Sequence, residues 1–323
     1  MKPAIIGLSG LHLTSGEAAL LRTHHPAGVI LFARNIESPP QLSGLVTAIR
    51  SELPPNPVLM IDQEGGRVAR LRPPHWLPHP SAQTLARSGL RATFLSGALI
   101  GLETAALGFT VVAAPCLDRF VPGATNAIGD RSFGPDPRTI ARLGRAQADG
   151  LADAGIIPVI KHLPGHGAAQ LDSHYALPTV QKHDEAADLL PFILNADLPW
   201  AMTAHILYPA WDPDRPATLS RPIIRNIIRG RIGFEGVLVS DDLAMQALSG
   251  EPADRALAAL DAGCDLALYC AGDFGPTQKL LQACSPMLDR TAERLALGRE
   301  YAASRLLPLN MATLAAERDR LLA

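Results

Sequence analysis

IIPVIKH, residues 156–162, crosses five apolar positions and then stops on a lysine and a histidine. Seven other short apolar runs punctuate the chain: AIIGL (4–8), GVILFA (28–33), PVLMID (57–62), FTVVAAP (109–115), PWAMTAHI (199–206), GVLVSDD (236–242) and CDLALYC (264–270). Continuous apolar strands, lacking the alternation of a half-solvated sheet, indicate parallel pairing buried on both faces. Between them lie amphipathic segments such as TSGEAALLRTH, PPQLSGLVTAIRSEL, DPRTIARLGRAQADGLADAG and EPADRALAALDAG. The first carries the capping-box spacing Thr14 to Glu17, and the other three begin at Pro or an acidic residue before Pro.

Eight strands alternating with helices fit either a closed (β/α)8 barrel of the TIM type or an open doubly wound sheet. The polar residues favour the barrel. Asp62, Asp118, Lys161 with His162, His205 and Asp241 all fall at the carboxyl ends of their runs. In a barrel those ends converge on one site, whereas an open sheet would spread them across its width. The 323 residues are therefore expected to form a single barrel domain, with a helical segment from about 285 to 323 closing the barrel exterior. Two connections exceed what a barrel needs: QEGGRVARLRPPHWLPHP (63–80), and the stretch from Lys161 to about Lys182. Loops of that length in a compact domain usually carry function.

The composition excludes several classes. Hydrophobic residues make up 47% and charged residues 19%, with a net charge of −2, so no field draws the chain to nucleic acid or an anionic membrane. No apolar run approaches the roughly 20 residues of a membrane span, and the first residues do not read as a signal peptide, so the chain is expected to be cytoplasmic. The four cysteines, Cys116, Cys264, Cys270 and Cys284, form no CxxC pair and read as buried thiols. Of 29 basic residues only Lys2, Lys161, Lys182 and Lys279 are lysines, which sets Lys161 apart in an arginine-rich chain.

The run continues as KHLPGHGAAQLDSH (161–174), with three histidines, a lysine and an aspartate in fourteen positions. His162, His166, His174 and Asp172 could in principle bind zinc, but their spacings match neither HxH nor HExxH and most ride on a glycine-rich loop. Neither a metal nor a cofactor is expected. Asp172-Ser173-His174 instead places a carboxylate and an imidazole two positions apart, on one side of an extended loop. Such a carboxylate favours the protonated imidazole, which can give a proton to a leaving group and later take one from water. Asp241, ending an apolar strand, would be a costly carboxylate without a functional or ionic reason. With Asp62, Arg70 and Lys161 the set describes a site for a polyhydroxylated ligand; a buried structural ion-pair network could use the same residue types.

KHLPGHG, DSH and SDDLAM, with IDQEGGRVARL and NAIGDRSFG, resemble glycoside hydrolase family 3, in particular its bacterial single-domain β-N-acetylhexosaminidases. GVILFARN and MTAHI are similar to family segments as well, and the resemblance runs in order from about Gly28 to Cys270. It implies Asp241 as nucleophile, His174 as loop-borne general acid/base, and Asp172 as its dyad partner. It also implies Asp62, Arg70, Arg131, Lys161 and His162 as the residues gripping a terminal N-acetylglucosamine. His205 and Asp118 complete the candidate set, and His166 takes a structural role in the loop. The implied reaction is a retaining double displacement on N-acetylglucosamine β-linked to 1,6-anhydro-N-acetylmuramic acid, with or without peptide, by a monomer whose only partner is this carbohydrate. Two alternatives stay open: a metal-dependent barrel hydrolase, and a sugar-binding barrel without chemistry.

Overall fold

The computed structural model describes residues 1–323 apart from His174, Lys182 and His183. Each apolar run contributes one strand: β1 Lys2–Gly7, β2 Pro26–Leu31, β3 Val58–Ile61, β4 Val111–Val112, β5 Ile157–Leu163, β6 Trp200–Thr203, β7 Val237–Val239 and β8 Ala267–Tyr269. All pairings are parallel, and the order β7-β6-β5-β4-β3-β2-β1-β8 leaves one seam. A bridge between Val239 and Leu266 closes it, supported by the Asp265 N–H donating to Leu238 O at 2.7 Å and Ser240 N–H donating to Leu266 O at 3.0 Å. The sheet is a ring, which decides against the open alternative.

Nine α-helices surround or seal it: α1 Ser15–His24, α2 Pro39–Glu52, α3 Ala82–Ala106, α4 Pro137–Asp153, α5 Glu185–Ile193, α6 Pro252–Ala262, α7 Phe274–Ala283, α8 Asp289–Arg305 and α9 Met311–Leu322, counted among the described residues. Local chemistry sets their starts. Thr14 and Glu17 form the expected capping box on α1; Ser38 and Asp136 accept from the third residue of α2 and α4, each with Pro at the first position. After β6 the chain makes a π-helical segment, Ile223–Arg231, that buries Ile223, Ile224, Ile227 and Ile228. α3 and α4 pack closely enough that a Cβ on Gly97 would stand 2.2 Å from Gln147 O, and one on Gly150 2.2 Å from Phe94 O. No described helix is long and apolar enough to cross a membrane.

Side-chain alternation splits the core into two layers. Ile5, Ile30, Met60, Val111, Val159, Met202, Val237, Val239 and Leu268 fill the barrel interior, while Ala4, Val29, Leu59, Ile61, Val112, Ile160, Ala201 and Leu238 face the helices. The C-terminal segment departs from expectation. α8 does not simply line the exterior: its Leu295 and Ala302 join the inner layer, so it plugs the end where the strands begin. Asp265, just before β8, locks that plug by accepting from Thr291 Oγ1 (3.1 Å), Arg294 Nη1 (3.0 Å) and Arg229 Nη2 (2.8 Å). The plug forms because the inner layer ends in apolar Val58, Ile157 and Trp200, which would otherwise meet water.

Candidate active site

With one end of the barrel plugged, the other holds the polar residues. Asp62, Lys161 and Asp241 each stand two positions after an inward-facing residue, Met60, Val159 and Val239 respectively. Strand periodicity therefore carries all three side chains into the mouth. A cavity of about 150 Å³ opens there. Asp62, Arg70, Arg131, Lys161, His162, His166, Asp172, Ser173, Asp241 and Asp242 line it, with Phe32, Met202, Met245, Leu268 and Cys270 among its apolar walls.

One wall is an ion-pair network. Lys161 Nζ lies 2.8 Å from Asp62 Oδ1 and 2.5 Å from Glu64 Oε1. Arg70 Nη2 donates to Asp62 Oδ2 at 2.6 Å, and Arg131 forks onto Glu64 at 2.7 and 2.9 Å. Burial disfavours ionised Asp62, yet Lys161 and Arg70 hold it well below the usual carboxylate range; Glu64 is likewise lowered against burial by Arg131 and Lys161. Burial would discharge Lys161, but the two carboxylates raise its pKa above the ordinary lysine value. The wall is thus fully charged: three cations and two anions. Arg70 Nε is buried without a hydrogen-bond partner among the described residues.

A second layer orients the histidines. Asp118, with no solvent exposure, accepts from the backbone N–H of His166 at 2.6 Å and pairs with His162 Nδ1 at 2.5 Å. Despite burial, the His162 and His166 groups hold its pKa well below the ordinary value. His166 Nε2 meets Ser173 Oγ at 3.2 Å; burial and the neighbouring His162 push its pKa down to about 4, so the ring is neutral near pH 7. Asp118 and His205 do not line the cavity. His205 stands out of phase with inward-facing Met202, and its ring spans Thr218 Oγ1 (2.8 Å) and Asp242 O (2.9 Å). Both residues act from behind the wall.

Asp241 is 6% exposed, and its Oδ1 accepts the Asp242 N–H at 2.8 Å. Burial resists its ionisation, but His205, His162 and that N–H together lower its pKa, so a carboxylate faces the cavity. Asp242, though adjacent, is occupied: its Oδ1 accepts from Ala244 N at 2.9 Å and Cys270 N at 3.0 Å, tying the turn to the end of β8. Burial raises its pKa. Alternation in the sequence leaves the choice between the two aspartates open; the inward phase of Val237 and Val239 assigns Asp241 to the barrel interior.

The loop from β5 brings Asp172 and Ser173 to the cavity, where Asp172 is partnered. His174, expected as the acid, lies outside the described residues. Among the described residues, Cys116, Asp118 and His162 form one trio with metal-capable atoms within 4.8 Å of one another. Those atoms are spent internally, since Cys116 Sγ donates to Asp118 Oδ2 at 3.3 Å and burial keeps the thiol protonated. Glu64 joins the site without a sequence signal beyond its place two residues after Asp62 in IDQEGG.

A barrel whose mouth presents carboxylates beside a charged sugar-sized wall is the architecture of a glycosidase, and residues 6–295 match the Glycosyl hydrolase family 3 N terminal domain. The chain belongs to that family and is a glycoside hydrolase. It is 42% identical over 281 residues to the Beta-hexosaminidase of Alkalilimnicola ehrlichii, an alignment covering 83% of this chain and 80% of that one. The structure is similar to that of NagZ from Neisseria gonorrhoeae in complex with N-trifluoroacetyl-D-glucosamine, with TM-score 0.87, 30% identity, and coverage of 100% of this chain and 98% of that chain. A family 3 beta-N-acetylglucosaminidase from Paenibacillus sp. also matches, at TM-score 0.87 and 31% identity, over 99% of this chain and 66% of that one. The present chain thus spans just under two thirds of the Paenibacillus protein.

Proposed function

We propose that the protein is a retaining, exo-acting β-N-acetylglucosaminidase. Its substrate would be N-acetylglucosamine β-1,4-linked to 1,6-anhydro-N-acetylmuramic acid in peptidoglycan fragments, with or without peptide. One observation carries the reading: an ionised, inward-facing Asp241 carboxylate in a cavity also lined by fixed charges suited to sugar hydroxyls. The names of the relatives support the amino-sugar class, and the sequence resemblance supports the aglycone.

In this reading Asp241 attacks the anomeric carbon while His174 gives its proton to the glycosidic oxygen. The C–O bond breaks, the alcohol leaves, and a covalent glycosyl ester forms. His174, now neutral, takes a proton from water, whose oxygen attacks the same carbon and frees the sugar and Asp241. Retaining geometry sets the two groups roughly 5 Å apart. A second carboxylate there would repel Asp241 once deprotonated; an imidazole is neutral at that step, a physical reason for histidine in the role. Asp172 keeps the ring oriented and favours its charged form. Asp62, Arg70, Arg131, Lys161 and His162 hold the ring hydroxyls and acetamido group.

The test is hydrolysis of a chromogenic N-acetyl-β-glucosaminide beside the matching β-glucoside, with and without EDTA. Strong preference for the former, unaffected by chelation, is expected. Equal rates on both, or activity that chelation abolishes and zinc restores, would overturn the reading.

A further inference from the structure

Lys161 and Arg131 both line the cavity, but neither is oriented by the cavity. Glu64, 7% exposed and outside the cavity lining, holds both. Its Oε1 is shared between Lys161 Nζ at 2.5 Å and Arg131 Nη2 at 2.7 Å, and Oε2 takes Arg131 Nε at 2.9 Å. Its own backbone is pinned from two sides, by its N–H donating to Val68 O at 2.8 Å and by Gln147 Nε2 donating to its carbonyl at 3.1 Å.

An ammonium has three N–H groups in tetrahedral array. Asp62 takes one and Glu64 takes another, which fixes the direction of the third. Arg131 is similarly committed: Nη2 and Nε face Glu64, Nη2 also lies 3.4 Å from His162 Nε2, and Nη1 donates to Ala127 O at 3.1 Å, so its plane cannot rotate and one Nη1 N–H is left over. We infer that Glu64 is a positioning residue for substrate binding: it aims the third Lys161 N–H, and the remaining Nη1 N–H of Arg131, at the sugar in the cavity. Resting on the proposed reading in which Lys161 and Arg131 contact the sugar, it adds a specific cause for their aim. Glu64 does not touch the Asp241 carboxylate, so its effect belongs to binding, not to the attack.

Charge gives this role a signature that a merely structural residue lacks. Asp62, Glu64 and Arg131 are the charged groups acting on Lys161, with Arg70 on the far side of Asp62. Without the Glu64 charge, burial and Arg131 oppose the ammonium and Asp62 alone supports it. Lys161 would then lose its proton at a lower pH than in the native protein.

The experiment measures KM and kcat on an aryl N-acetyl-β-glucosaminide, and N-acetylglucosamine affinity by calorimetry, from pH 6 to 10. Glu64→Gln, Glu64→Asp and Lys161→Ala are compared with the native enzyme. A hydrogen bond to a charged group is worth roughly 10- to 100-fold in affinity. Glu64→Gln should therefore raise KM and weaken sugar binding by about that factor at pH 7, leave kcat within about threefold, and add an alkaline loss of affinity absent from the native profile. Glu64→Asp keeps the charge but shortens the reach. It should raise KM without the new alkaline limb, and it carries the test if the glutamine variant does not fold. Native KM and pH profile in either folded Glu64 variant, or a fall in kcat alone, overturns the inference while leaving the sugar site intact. If Lys161→Ala binds N-acetylglucosamine as the native enzyme does, the site reading itself fails and the role of Glu64 fails with it.

Discussion

Replacing Asp241 with glycine, and its neighbour Asp242 with asparagine or alanine, separates the reacting carboxylate from the structural one. Among the described residues the Asp241 side chain accepts one hydrogen bond, from the Asp242 N–H, so its removal orphans a single N–H and should cost about 1 kcal/mol, or about 2 °C in the melting temperature. Turnover should fall on the order of 10⁴-fold or more, as expected for loss of a nucleophile. The vacated space admits azide, which would attack an activated β-glycoside from the Asp241 side and yield the α-glycosyl azide. Asp242 behaves oppositely. Its Oδ1 satisfies two backbone N–H groups, of Ala244 and Cys270. Each orphaned N–H costs about 1–3 kcal/mol, and at this half-buried position the lower end applies, giving about 2–3 kcal/mol for Asp242→Ala. At about 2 °C per kcal/mol for a chain of this size, the melting temperature should drop by about 4–6 °C. Asp242→Asn keeps the accepting oxygen and should cost about 1 kcal/mol or less while retaining hydrolysis. The assays are azide rescue, with the anomeric product read by NMR, and thermal melts of each variant. Azide products from the Asp242 variants, with an Asp241→Gly enzyme that azide cannot revive, would refute the assignment.

His174→Ala should slow substrates with poor leaving groups far more than aryl glycosides, which depart with little protonation, and Asp172→Asn should give a milder version; equal losses on both substrate types would remove His174 as the acid. Gly298→Ala would bring a Cβ to 2.7 Å from Trp200 Nε1 beneath the barrel, so overpacking should cost about 1–3 kcal/mol in a melt with kcat unchanged; an unaltered melt would show that α8 yields there. Glu17 accepts from Ser9 N and Thr14 N, and these bonds lower its pKa against burial. A depressed carboxylate stabilises the fold above its unfolded pKa and loses that contribution as pH falls through the folded value. Glu17→Gln should therefore cost about 1–2 kcal/mol at pH 7 and progressively less in melts taken toward pH 3, and a cost independent of pH would contradict it.

The strands were legible because runs buried on both faces must be apolar throughout, and the site because each run broke off in a charge. Asp62, Lys161 and Asp241 were read at their strand ends from that alone. Which of them faced inward was not legible, since in a barrel both faces of a strand are apolar; the phase set by Val237 and Val239 supplied it. On the β6 side, the inward phase of Met202 leaves His205 turned away from the cavity. α3 carries little periodic signal, because glycines and alanines bring it close against α4 and Gly89 at φ 86° interrupts its pattern. The inward reach of α8 depended on an apolar opening at the barrel's base that no local pattern reveals. Glu64 gave little signal because its function lies in two partners far along the chain, Arg131 and Lys161.

The pairing of β1 with β8 has a consequence for how the chain is made. β1 ends at Gly7 and its partner β8 begins at Ala267, so β1 leaves the ribosome about 260 residues ahead of the strand it pairs with. At typical synthesis rates of 5–20 residues per second, that interval is roughly 13–50 s. Throughout it β1 presents an unpaired edge, and the inner apolar layer stands open at its base until Leu295 and Ala302 emerge. Until α8 arrives, a nascent chain in that condition keeps part of its inner apolar layer in contact with water.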